Sequence, residues 1–171
     1  MERSASAPSF DEYVVARGGD LLRTAWLLTG DHQRAEDLVQ TALGKTWPHW
    51  NRITQEGSGS YDAYVRRVMM TTYIAWWRRR WNSEYPTEVL PEPPSMDTDI
   101  TDLRRDLLTA LSRLPRGQRA VVVLRFFEDR TEAQVAETLG CSIGAVKTQS
   151  ARALAALRHS PILAGEETRH E

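Results

Sequence analysis

Between residues 82 and 102 the chain carries six carboxylates and no lysine or arginine: Glu84, Glu88, Glu92, Asp97, Asp99 and Asp102. Pro86, Pro91, Pro93 and Pro94 fall in the same stretch. Each fixes φ and removes a backbone donor, so neither a helix nor an interior strand runs through it. Its apolar content is too thin to offset the entropy of ordering. This predicts an acidic, Pro-rich linker at 83–100, between units at 9–82 and 101–159, with disordered tails at 1–8 and 160–171. A covered surface loop within one domain is the alternative, disfavoured because long structureless loops are uncommon in compact domains.

The formal net charge of −1 conceals the order of the charges. Residues 1–81 hold 11 basic and 9 acidic side chains, and residues 103–171 hold 11 and 8. Any affinity for nucleic acid must therefore come from local patches. No apolar run approaches the roughly 18 residues that span a bilayer. The opening MERSASAPSF lacks the apolar core of a secretory signal, which points to a cytoplasmic protein with no membrane partner. A single cysteine, Cys141, excludes an internal disulfide, and four scattered histidines have no metal-ligand spacing; neither metal nor cofactor is expected.

Outside the linker the signals are helical. Ser9-Phe10-Asp11-Glu12 is a capping box opening a helix with Val14, Val15, Leu21, Leu22, Ala25 and Leu28 inward. Gly30 stops it, and Asp31 caps a second helix that ends near Trp47, before Pro48. Residues 55–60, QEGSGS, form a loop. A third helix covers 61–81, about 30 Å long. Beyond the linker, Leu103, Leu107, Leu108, Leu111 and Leu114 mark another amphipathic helix ended by Pro115. Residues 116–128 are rich in valine and phenylalanine, so a strand is conceivable, but the flanks favour a buried helix. The fold class is all-α.

Residues 131–158, TEAQVAETLGCSIGAVKTQSARALAALR, carry the most specific pattern. Thr131 to Gln134 is a second capping box. It opens a short helix with Val135, Ala136 and Leu139 inward. Gly140 turns the chain, with Cys141 read as a small buried turn residue, and Ser142 caps a last helix. That helix places Val146, Ala153, Leu154 and Leu157 inside. This is the spacing of a helix-turn-helix, whose second helix enters the major groove. Its outer side offers Gly144 and Ala145 for close backbone approach, Thr148 and Gln149 for base edges, and Lys147 and Arg152 for phosphates or guanine.

The helix 61–81, YDAYVRRVMMTTYIAWWRRRW, sets five arginines against Asp62 alone. Tyr73, Trp77 and Trp81 recur every four residues beside Arg67 and Arg78, a pairing of charge and flat rings suited to exposed bases. The competing reading packs that ridge into the core with Val65, Val68, Met69, Thr72 and Trp76. In the second helix Glu36 and Asp37 diverge by about 100° and form no acid–base pair. A solvated face or a protein-docking face flanked by Leu38 and Leu43 fits better. With no nucleophile–base pair or phosphate-cradling loop, the chain does not read as an enzyme.

Together, residues 27–47 (LLTGDHQRAEDLVQTALGKTW), the basic helix, and residues 114–158 beginning LPRGQRAVVVLRFFEDR resemble a bacterial RNA polymerase sigma factor of the extracytoplasmic-function (ECF) group. The likeness covers about 10–82 and 101–159. It implies that a region 2-like bundle docks on the β′ clamp helices of core polymerase through Glu36, Asp37, Leu38, Gln40 and Leu43. It implies that the loop at 53–60 and the next helix read and open the −10 element through Arg66, Arg67, Thr71, Tyr73, Trp77, Arg78, Arg79 and Arg80, flipping a base at a cost of a few kcal/mol. A region 4-like bundle would read the −35 element through Ser142, Gly144, Ala145, Lys147, Thr148, Gln149 and Arg152, while Phe126 and Phe127 meet the β flap. Gln149 stands where the family commonly has arginine, and Met70-Thr71 where arginine–asparagine is common. Many relatives are also held by an anti-sigma factor lying across the linker. The rival readings are a stand-alone helix-turn-helix regulator and a helical protein-binding adaptor.

Overall fold

The computed structural model describes residues 6–55, 60–82 and 102–159. The expected linker, the tail at 160–171 and most of the tail at 1–8 lie outside the described residues, as does the loop at 56–59. Eight α-helices occupy the described chain: α1 Phe10–Thr29, α2 His32–Thr46, α3 Trp50–Gln55, α4 Ser60–Asn82, α5 Asp102–Ser112, α6 Arg116–Val122, α7 Glu132–Leu139 and α8 Ile143–Arg158. No strand occurs among the described residues.

The helix boundaries follow from local chemistry. Ser9 accepts the Glu12 N–H while Glu12 reaches back to the Ser9 N–H, closing the first capping box. Gly30 ends α1 at φ 70°, a left-handed conformation that glycine adopts without a Cβ penalty. Asp31 accepts from the N–H groups of Gln33 and Arg34 to start α2. Thr131 and Gln134 form the second capping box, Gly140 turns the chain at φ 69°, and Ser142 accepts the Ala145 N–H to start α8.

Two local expectations change. The chain does not leave the helical path at Pro48; it tightens into a 3₁₀ turn, Trp47–His49, and continues as α3. Proline is tolerated there because the first turn needs no amide donor from it. Residues 116–128 are helical, but only Arg116–Val122 is α, followed by a π-helical turn over Val123–Phe127. Inward Val15 is also overturned: it is 87% exposed, whereas Leu21, Ala25 and Leu28 are buried.

Helices α1–α4 form one bundle. Its floor is an aromatic cluster in which Trp50 lies 5.5 Å from Phe10, 5.0 Å from Tyr13 and 5.6 Å from Tyr61 between ring centroids. The Trp50 Nε1 donates to the Pro8 carbonyl at 3.1 Å, so an indole otherwise costly to bury is satisfied. Helices α5–α8 form the second bundle, with Leu111, Val121, Val123, Val135 and Val146 inside. The two bundles do not stand apart. Their interiors join into one buried cluster running from Tyr13, Leu38 and Met69 to Leu124 and Val135. Helix α4 meets α7, and α1 meets the π turn. The reason lies in α1 and α4, whose buried residues each spread over an arc of about 160°, wider than one neighbouring helix covers.

Candidate nucleic-acid and polymerase interfaces

Helix α8 carries the face expected to read DNA. Val146 and Ala153 fix it to the bundle, both fully buried. Gly144, Lys147, Thr148 and Arg152 are exposed, with Ala145 and Gln149 partly covered. Ser142 caps the Ala145 N–H at 3.1 Å, and Val146 donates to the Ser142 carbonyl. The N–H groups of Ile143 and Gly144 then have no helical acceptor and sit at the positive end of the helix dipole. A Cβ on Gly144 would meet nothing closer than the Ser142 Oγ at 3.9 Å, so the helix start is open to close approach. Lys147 is 3.9 Å from Glu132 in a largely solvated pair, which costs little to exchange for a phosphate. Cys141, expected to be buried, is exposed.

The basic helix α4 divides its residues differently from expectation. Arg67 and Thr71 are exposed. Tyr73 is not a free stacking platform: it is 8% exposed and its hydroxyl donates to the Leu28 carbonyl at 3.2 Å. Burial pushes its phenol above the usual range. Arg66 is not a free phosphate contact either. Its Nε donates to Asp62 at 3.0 Å, and its Nη1 pairs with Glu128 of the second bundle. The core reading of the aromatic ridge therefore holds for Tyr73. Trp77 is partly exposed, and the Arg116 guanidinium lies 6.0 Å from its ring centroid. Arg78, Arg79 and Arg80 lie on the helix, with side chains outside the described set.

Asp62 joins the network from the other side. Burial opposes its ionisation, but the Tyr13 hydroxyl at 2.8 Å and the Arg66 guanidinium outweigh burial and hold its carboxyl below the ordinary range. The same bond and its own burial push Tyr13 far above the usual phenol range. Arg66 is half-buried, which disfavours its charge, yet Glu128 and Asp62 more than restore it.

On α2, Asp37 and Gln40 are exposed, and Glu36 and Leu43 are partly so. Leu38 is wholly buried, 0% exposed, and contributes packing rather than a contact for a partner. Glu36 pairs with His32 at 3.2 Å and Asp37 accepts from Gln33 at 3.3 Å, both on the solvent side of α2. The sequence reading missed Trp47. It is 66% exposed and falls ten residues after Asp37, on the face shared by Asp37, Gln40 and Gly44. The signal was the helical spacing itself, since the second helix was expected to run to about Trp47. Phe126 and Phe127 are 50% and 44% exposed, turned outward by the π turn.

A helix-turn-helix with an open cationic recognition face, and a basic aromatic helix on the same chain, define a two-part DNA-binding protein. Comparison with known proteins gives its family. Residues 14–83 match Sigma-70 region 2 and residues 104–157 match Sigma-70, region 4. The RNA polymerase sigma-E factor of Streptomyces coelicolor is 47% identical over 152 residues, covering 87% of this chain and 84% of that protein. The ECF RNA polymerase sigma factor SigL of Mycobacterium tuberculosis is 31% identical over 154 residues, covering 87% and 84%. The sigma factor RpoE of Bartonella quintana, solved with the anti-sigma factor NepR, shares the fold at a TM-score of 0.67 and 24% identity, over 87% of this chain and 94% of that one. The chain belongs to the sigma-70 family of RNA polymerase sigma factors, in its ECF group. It binds core polymerase and promoter DNA and directs transcription initiation, which sets aside the regulator and adaptor readings. No described helix is long and apolar enough to cross a membrane.

Proposed function

We propose that the three surfaces divide the work of initiation. Ser142, Gly144, Ala145, Lys147, Thr148, Gln149 and Arg152 read the −35 element as duplex. Arg67, Thr71, Trp77 and the arginines at 78–80 engage the −10 element as it opens, with Arg66 and Tyr73 supporting the helix from behind. Glu36, Asp37, Gln40, Leu43 and Trp47 dock on the β′ clamp helices, and Phe126 and Phe127 on the β flap. The chain itself supplies no chemistry; the polymerase catalyses. The same reading includes an anti-sigma partner, of the kind that accompanies the Bartonella quintana protein.

The observation that carries this assignment is the outward face of α8, where Lys147 and Arg152 stand exposed beside an open helix start. Run-off transcription with core polymerase, followed by sequencing of transcript 5′ ends, tests it. Start sites sharing paired upstream elements are expected, and their −35 preference shifts when Thr148 or Gln149 is replaced. A start-site pattern indifferent to those replacements would refute the assignment.

A further inference from the structure

The exposed cations of α8 are not equally free. Of Lys147, Arg152 and Arg158, only Lys147 is paired with a carboxylate among the described residues: Glu132, at 3.9 Å. Glu132 is the first residue of α7, so the pair links the two helices of the helix-turn-helix. Both side chains reach solvent, Lys147 at 65% and Glu132 at 34% exposure. The carboxylate is not needed to start α7. Thr131 and Gln134 close that start, each side chain accepting the other's N–H, at 3.1 and 2.9 Å. Among the described residues the Glu132 side chain has no partner other than Lys147.

Docking on duplex DNA changes these partners. The second helix of such a pair enters the major groove while the first crosses the sugar–phosphate backbone. Glu132 therefore lies beside the very lysine that a phosphate would draw away. Breaking a solvated pair costs little. What remains opposes binding, because an unpaired carboxylate then stands within a lysine's length of a phosphate and the two repel. A lysine already shared with a carboxylate also releases fewer counterions when a phosphate takes it. Both effects weaken the hold on the backbone and flatten its salt dependence, whatever the base sequence.

We infer that Glu132 competes with DNA phosphate for Lys147 and so sets how tightly the second bundle holds duplex. The inference rests on the −35 assignment above and adds to it a residue that lies off the reading face. A weaker hold on the backbone leaves discrimination to Thr148 and Gln149, the side chains placed for base edges.

The test measures binding of the full chain to a −35 duplex and to an unrelated duplex by fluorescence anisotropy at several salt concentrations. Glu132→Gln is compared with Glu137→Gln, the same charge change at an exposed site of α7. Glutamine keeps the side-chain shape and leaves the cap of Thr131 and Gln134 in place, so helical content is expected to hold. Glu132→Gln should bind both duplexes about threefold more tightly at low salt, with a steeper slope of log affinity against log salt, while Glu137→Gln stays within about 1.5-fold of the parent. In a Lys147→Ala background the gain from Glu132→Gln should shrink below about 1.5-fold, since the competition runs through that lysine. Unchanged affinity, a gain matched by Glu137→Gln, or a gain that survives the loss of Lys147 would overturn the competition. Weaker −35 binding by Glu132→Gln would make the carboxylate an acceptor for a cytosine amine and overturn it equally. If Lys147→Ala leaves binding to both duplexes unchanged, the −35 assignment itself fails, and the role of Glu132 with it.

Discussion

Gly30 and Gly140 offer a matched pair that tests how the two bundles meet. Both end a helix in the left-handed region, at φ 70° and 69°. Alanine at either position should cost about 1–2 kcal/mol for the left-handed backbone. About 0.4–1 kcal/mol returns through the stiffer unfolded chain. The net expectation from backbone alone is about 1 kcal/mol at both sites. Their surroundings differ. A Cβ at Gly140 meets nothing within 4 Å, whereas one at Gly30 lies 3.3 Å from the Arg119 Nη2 and 3.8 Å from its Nη1.

The guanidinium cannot easily move aside, because its Nε is tied to the Leu27 carbonyl and the side chain is buried. Overpacking of this kind adds about 1–3 kcal/mol, here at the lower end because the obstacle is a side-chain tip. Gly30→Ala should therefore cost about 2 kcal/mol and Gly140→Ala about 1 kcal/mol in denaturant unfolding followed by circular dichroism. Repeating both in an Arg119→Ala background should erase the difference, since only the backbone penalty then remains. Equal costs in the parent chain, or a difference that survives removal of Arg119, would refute the close seating of Arg119 over the end of α1.

Lys147→Ala and Arg152→Ala should each weaken binding to −35 duplex and reduce the slope of log affinity against log salt by about one, measured by titration at several salt concentrations. Trp47→Ala and Asp37→Arg should weaken capture of core polymerase about tenfold or more while helical content stays constant, because one removes an aromatic anchor and the other reverses a charge. Leu38→Ala, by contrast, should lower stability by about 2–5 kcal/mol, the cost of a core cavity, and show in the melting curve before it shows in docking. Tyr13 has its pKa raised in the fold, so its contribution to stability is whole below the unfolded phenol pKa and is lost as pH rises above it. Absorbance titration near 295 nm should show one tyrosine fewer in the late, unfolding-linked step for Tyr13→Phe.

What the sequence made legible was whatever a short stretch decides for itself. Ser9, Gly30, Asp31, Thr131, Gly140 and Ser142 each sit where a helix starts or stops, and their side chains or backbone act within four residues. The open face of α8 was readable for the same reason, since one helical period separates the buried Val146 and Ala153 from Lys147 and Arg152. Trp47 was open to the same argument, since helical spacing sets it on the face of Asp37 and Gln40. The roles of Arg66 and Tyr73 were out of reach because their partners, Glu128 and the Leu28 carbonyl, lie 62 and 45 residues away. No local period encodes such a pairing.

Helix α4 joins these observations. A helix with one buried side shows a polar stripe opposite an apolar one. In α4, Val65, Met69, Met70, Thr72 and Tyr73 are all buried, and they spread over about 160° of the helix circumference, wider than an apolar stripe of about 100°. Such a helix needs cover on a second side. Helices α2 and α3 cover the first, and α7 lies against another part of its surface. Arg67 and Thr71 fall outside this arc and stay exposed. An arc this broad, covered by α2 and α3 from one bundle and α7 from the other, is why the ridge of 61–81 read ambiguously between core and DNA platform.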